Sequence, residues 1–332
     1  MTGSHGDPAD LFQTGATRRE ADIVLIPAPL EATVSYGGGT RYGPTAIARA
    51  APQLDEVDPV FGPFHETRII IDPLDESLGA ICGQVNEVRQ QPETSERLGR
   101  LNELTIRAHD RIHALVTGVF DSGKTPGVIG GEHSVAYGAI RAAADRYEGL
   151  GVLQIDAHMD LRENYEGYVW SHASVMHNVV ELPRLGILVQ VGVRDISADE
   201  YAKANADPKI RAFPMGQLDD AMDGGAPWSE LRDRMIDMLP ERVWVSFDID
   251  GLEPHLCPGT GTPVPGGLSF HRATSLLQRI RETGRKVVGF DLVEVAPSLG
   301  APEGRDSIDA IVGARVLARL CIVAGTAARL GR

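Results

Sequence analysis

Seven short apolar, β-branched runs recur along the chain, at residues 23–29, 68–71, 127–131, 151–156, 187–193, 243–250 and 286–295. None alternates polar with apolar residues, which is how strands buried on both faces read, and such strands belong to parallel sheets covered by helices. Between them lie stretches of helical period at 95–120, 134–147, 228–239, 271–284 and 307–330. The stretch 271–284 ends on Gly284 with Arg279 and Arg281 in its final turns, as a helix stop should. Strand–helix alternation without a linker, repeat or low-complexity tract predicts one α/β domain on a mostly parallel sheet. The Gly/Pro-rich stretches 35–44 and 258–267 fall where strands end, the rim at which open α/β sheets bind ligands.

Of 332 residues, 42% are apolar, enough for a sizeable core and against a disordered chain. Lys and Arg number 32 against 46 Asp and Glu, a net charge of −14, so nucleic acid is not an expected partner. No apolar run reaches the ~18 residues of a membrane span, and the N-terminus lacks a signal-peptide core, so no membrane partner is expected. Cys82, Cys257 and Cys321 are far apart and form no metal-binding cluster, which fits a reducing, cytoplasmic setting. Residues 1–20 are polar and are expected to form a flexible segment ahead of a domain spanning 21–332.

One motif is rejected. Residues 118–125 match G-x-x-x-x-G-K-[ST] letter for letter. A phosphate cradle needs a strand before that loop and a helix after it, whereas here a helical stretch precedes it and a strand follows.

Three strand ends share one chemistry. His133 follows the run 127–131, Asp156, His158 and Asp160 close the run 151–156, and Asp248 and Asp250 close 243–250. If each segment stays extended, alternate residues present Asp156 with His158 and Asp248 with Asp250. Four carboxylates in one cleft repel unless cations intervene, and two divalent ions would balance them. Six donors exceed what one zinc takes. The carboxylate-rich, thiolate-free set favours a fairly hard metal, Mn²⁺ foremost.

At these residues the chain resembles the ureohydrolase family of arginases and agmatinases, nearly throughout from Ile23. The matching motifs are GGEHS at 130–134 (commonly GGDHS), DAHMD at 156–160 and SFDIDGLEP at 246–254. DLRENYEGYVWSHASVMHNV at 160–179 and PGTGTPVPGG at 258–267 point to the agmatinase branch. The resemblance implies a three-layer α/β/α fold around a roughly eight-stranded parallel sheet, assembled as a trimer or hexamer. It puts His133, Asp156, Asp160 and Asp248 on one Mn²⁺, and Asp156, His158, Asp248 and Asp250 on a second. It further implies that Glu294 grips a guanidinium and that His172 shuttles protons beside the substrate. Asp160 would relay a proton after a metal-bridging hydroxide attacks the guanidinium carbon.

The expected partner is a small cationic guanidino compound. Agmatine, giving putrescine and urea, leads because Glu163 and Glu166 in the loop after DAHMD would favour a tail amine. Guanidinobutyrate, N-aminopropylagmatine, formiminoglutamate and guanidine stay open, as does a non-catalytic member of the fold. Arg162 and His177 have no assigned role.

Overall fold

The computed structural model describes residues 10–297 and 306–330, the side chains through residue 325. Eight strands form one sheet: β1 (Ile23–Ala28), β2 (Ile69–Ile71), β3 (Thr125–Gly130), β4 (Leu150–Ile155), β5 (Leu185–Val191), β6 (Ile210–Phe213), β7 (Arg242–Asp248) and β8 (Lys286–Val293). Their order is β2-β1-β3-β8-β7-β4-β5-β6, and every pairing is parallel. Each of the seven expected runs is a strand. The eighth, β6, has four residues at the sheet's edge, too few to stand out as a run.

The helices are α1 (Gly43–Ala50), α2 (Glu76–Arg89), α3 (Ser95–Asp121), α4 (Ala136–Arg146), α5 (Val175–Val180), α6 (Ala198–Ala206), α7 (Met215–Asp223), α8 (Trp228–Asp237), α9 (Phe270–Glu282) and α10 (Ile308–Leu330). They cover both faces of the sheet. Alternate residues of β1 point opposite ways: Ile23 and Leu25 join a core shared with α1, α8, α9 and α10, while Val24 and Ile26 join one shared with α2, α3 and α4. That two-sided burial is why the strands carry unbroken apolar runs. Caps set where several helices begin: Asp75, Thr94 and Ser269 each accept a backbone N–H from the first turn, and Ser197 with Glu200 forms a capping box.

Residues 1–9 of the expected N-terminal segment lie outside the described residues; residues 10–20 are largely exposed but anchored at two points. Leu11 and Ala16 are buried, and Asp10 accepts from Thr14 and Gly15. The residues around 118–125 form the end of α3, a turn at Gly123 and the start of β3, with Lys124 Nζ donating to Arg19 O and Ala21 O. The order is helix then strand, opposite to a phosphate cradle.

Candidate metal centre

The four central strands, β3, β8, β7 and β4, are neighbours and all end at the same rim. His133 follows β3, Glu294 follows β8, Asp248 and Asp250 end β7, and Asp156, His158 and Asp160 follow β4. Parallel pairing thus gathers residues far apart in sequence at one place, as open α/β sheets do for their ligands.

The chain is not extended there, contrary to the sequence expectation. Asp156 and Asp248 each fold the backbone into a tight turn: Asp156 Oδ1 accepts from His158 N at 2.6 Å, and Asp248 Oδ1 accepts from Asp250 N at 2.8 Å. Asp and Asn favour this local turn because a short side-chain acceptor reaches a backbone N–H two residues on. The two loops also meet, with Ala157 N donating to Asp250 Oδ1 at 3.0 Å.

The donors form two groups that share Asp156: His133, Asp156 and Asp160, then Asp156, His158 and Asp250. His133 Nδ1 lies 3.0 Å from Asp156 Oδ2, 2.9 Å from Asp160 Oδ2 and 3.3 Å from Asp248 Oδ2. His158 Nδ1 lies 3.1 Å from Asp250 Oδ2 and 3.5 Å from Asp156 Oδ1. All six expected donors therefore come together.

The network behind His133 tests whether a cation belongs there. Ser246 Oγ donates to Asp291 Oδ1 at 2.8 Å and so accepts, also at 2.8 Å, from His133 Nε2–H. Trp244 Nε1 donates to the other oxygen of Asp291. That chain assigns the tautomer and turns the lone pair of Nδ1 toward three carboxylates. Nδ1 is buried and makes no hydrogen bond. A lone pair facing anions is repulsive unless a positive charge sits between them, so the donor set fits a metal.

The electrostatics agree. Burial pushes Asp160 up to about 7, helped by Asp156, and holds Asp248 well above the usual carboxylate range, helped by Asp250 and Asp156. Burial opposes charge on both histidines as well, yet neighbouring carboxylates outweigh it. His133 rises well above its ordinary value, and His158, driven chiefly by Asp250, rises to about 12.

Asp160 and Glu294 adopt left-handed backbone, with φ of 54° and 60°. Such conformations cost about 1–3 kcal/mol in non-glycine residues and persist where the surroundings enforce them. Asp160 O accepts from Met176 N and His177 N at the start of α5, while its carboxylate faces the donors. Glu294 is held from both sides, its N–H bonded to Gly131 O and its O accepting from Thr260 Oγ1. Glu294 Oε1 accepts from His133 N at 2.7 Å. Burial, with Glu132 and Asp250 nearby, raises its carboxyl well above the usual range.

A profile of the Arginase family matches residues 21–322. The chain belongs to the arginase family. It is similar to the N(1)-aminopropylagmatine ureohydrolase of Synechocystis sp., at 31% identity over 301 residues, 89% of this chain and 88% of the relative. It is also similar to the agmatinase of Bacillus anthracis, at 30% identity over 278 residues and 84% of each chain. The agmatine ureohydrolase structure of Thermoplasma volcanium shares the fold, with a TM-score of 0.72 at 24% identity, covering 100% of this chain and 98% of that one. The protein is thus a ureohydrolase with the arginase-family α/β fold.

Within that family frame, a cleft of about 130 Å³ opens beside the donors, lined among others by Ser35, Arg162, Tyr165, His172, Asp195 and Glu200. Thr33 holds His172 twice: its Oγ1 accepts from His172 N at 3.1 Å and lies 3.2 Å from Nδ1. Desolvation and the neighbouring His158 and His133 lower His172 to about 4, so it is neutral at pH 7. Glu132, where family members commonly carry Asp, reaches across to the 31–33 loop. Its Oε2 accepts from Ala32 N and Thr33 N at 2.9 and 2.7 Å, and its Oε1 from Ser134 Oγ. The longer acid therefore supports Thr33 and, through it, His172.

Glu163 and Glu166, expected to receive a tail amine, are exposed and outside this cleft. Glu163 and His177 line a neighbouring one instead. Sequence reading also missed Arg194, whose guanidinium donates to Asp250 O at 2.8 Å, Leu252 O at 3.1 Å and Val264 O at 2.9 Å, pinning the turn that carries Asp250. Its acceptors are all carbonyls, which no side-chain pattern announces.

Proposed function

We propose that the protein hydrolyses agmatine to putrescine and urea with two Mn²⁺ ions. The observation that carries this reading is the pair of donor groups sharing Asp156 at the ends of the central strands β3, β7 and β4. His133, Asp156, Asp160 and Asp248 would hold one ion, and Asp156, His158, Asp248 and Asp250 the other, with Asp156 and Asp248 common to both. Such a pair, when bound, lowers the pKa of water toward neutrality and so supplies a nucleophile strong enough for a resonance-stabilised guanidinium.

The chain's own groups do the rest. Glu294, fixed through Oε1 by His133 N, presents Oε2 to the guanidinium and orients it. Asp160, whose left-handed backbone aims its carboxylate inward, takes a proton from the reacting centre and gives it to the departing amine. His172, tied through Nδ1 to Thr33 and neutral at pH 7, accepts protons at Nε2 and passes them toward the cleft mouth. N(1)-aminopropylagmatine is the second reading, favoured by the likeness to the Synechocystis relative. The same proposal includes one domain over residues 21–332, a homo-oligomer, and a reducing cytoplasm, which the three free, buried cysteines support.

The test is urea release from agmatine, with and without added Mn²⁺. Asp248→Ala should abolish turnover and lower bound metal, because it removes a ligand common to both ions. Parent-like turnover in that variant would overturn the two-metal reading. His172→Asn should slow turnover with metal content intact.

A further inference from the structure

Three side chains at the outer part of the cleft differ in what they have left to offer a ligand. Glu200 is spent: its oxygens accept from Leu161 N, Ser197 N and Ser197 Oγ at 3.1, 3.0 and 2.7 Å. Arg162 is opposed by that same carboxylate at 3.6 Å and lies over the ring of Tyr165, 4.9 Å from its centroid. Its charge is thereby matched and its face covered. Asp195 is exposed and lines the cleft, and its carboxylate has no hydrogen bond or ion pair among the described residues.

The backbone fixes where that free carboxylate stands. Asp195 is bridged in parallel to His158, one of the metal-site donors, and its N–H donates to Ala157 O at 3.2 Å. Partners in such a bridge lie about 4.8 Å apart. Asp195 therefore stands one strand's width outward from the donors. Across the mouth, Gly37 N donates to Gly261 O at 3.2 Å, joining the loops that bring Ser35 and Thr262 to the cleft. A ligand whose head reaches the donors has to pass its tail beside Asp195.

We propose that Asp195 is the specificity-determining residue that receives the terminal cation of a guanidino substrate and selects it over a neutral or anionic tail. With Arg162 and Glu200 cancelling, Asp195 leaves this end of the cleft net negative. Anionic tails such as that of 4-guanidinobutyrate meet repulsion there, and a primary ammonium gains a charge-assisted hydrogen bond. The inference rests on the ureohydrolase chemistry proposed above only for its turnover readout.

The test compares the Mn²⁺-loaded parent with Asp195→Asn on agmatine and on butylguanidine, which lacks the amine. Asp195→Asn should raise KM for agmatine about ten- to hundredfold with kcat within about threefold. It should leave kcat/KM for butylguanidine and the bound metal unchanged. Asp195→Lys should reverse the preference between agmatine and 4-guanidinobutyrate. Equal losses on agmatine and butylguanidine, or no loss on agmatine, would overturn the assignment. Calorimetric titration of agmatine reads it without turnover: at least tenfold weaker binding in Asp195→Asn supports it, and equal affinity, or no binding to the parent, refutes it. Absent urea release with intact, Asp195-dependent binding would refute the hydrolytic reading and leave this one standing.

Discussion

At the residue scale, the centre depends on side chains that touch no ligand. Ser246 is a single hydroxyl inside β7, yet it joins His133 Nε2 to Asp291 and so decides which imidazole nitrogen faces the carboxylates. Ser246→Ala leaves that N–H buried without an acceptor, and supporting residues of this kind typically carry about 10–100-fold in metal affinity. Equilibrium dialysis against Mn²⁺ should show that loss with the circular dichroism spectrum unchanged. His109 makes a second case, away from the centre. It is buried between Tyr137 and Trp170 with neither ring nitrogen hydrogen-bonded, and burial lowers it to about 3. Its unfolded value near 6.5 is higher, so the unfolded chain binds the extra proton. The stability of neutral His109 is complete above pH 6.5 and is lost as pH falls toward 3, by about 2 kcal/mol at pH 5. Denaturant melts of His109→Phe should show a shallower decline between pH 7.5 and 5 than the parent.

At the scale of elements, close approach of backbones constrains the site as firmly as its acids do. A Cβ at Gly131, between β3 and His133, would stand 2.1 Å from Leu30 O. Gly131→Ala should force the 28–33 loop away, cost about 1–3 kcal/mol and weaken metal retention. Gly83 in α2 is exposed, with no atom within 4 Å of such a Cβ, so Gly83→Ala should instead stabilise by about 0.5–1 kcal/mol. Thermal melts of both variants check the contrast. Elements were legible where burial writes itself into composition. The seven buried strands read as unbroken apolar runs, and α3, α4, α8, α9 and α10 as helical periods. Helices α6 and α7, with few buried residues each, left no such trace. The donors were legible because Asp and His at strand ends are costly without a purpose. The turns that make them converge were read as extended strand, since nothing local in D-x-H or D-x-D separates the two conformations. Glu132 could be recognised as a departure from the family pattern, but its acceptor role could not, because its partners lie 99 and 100 residues earlier.

For the whole molecule, the centre concentrates unfavourable charge at the end of an apolar sheet. Asp156, Asp160, Asp248 and Asp250 are buried together, and a bound cation would be a structural as well as a chemical component. A ligand that binds only the folded chain stabilises it by about 4 kcal/mol at a thousand times its Kd. Treatment with a chelator should therefore lower Tm, and Mn²⁺ should restore it. An Asp248→Ala chain should respond much less to either.

The strand order also has a meaning in time. His133 and Glu294 are 161 residues apart in the chain, and their contact exists only once β8 has inserted between β3 and β7. Pairings of such long range form late and slowly. While the chain is still emerging from a ribosome, β3, β4 and β7 have been made but the strand that belongs among them has not. His133 is therefore the last of the donors to reach its place, whereas Asp156, His158 and Asp250 gather on the directly paired β4 and β7 without waiting for β8.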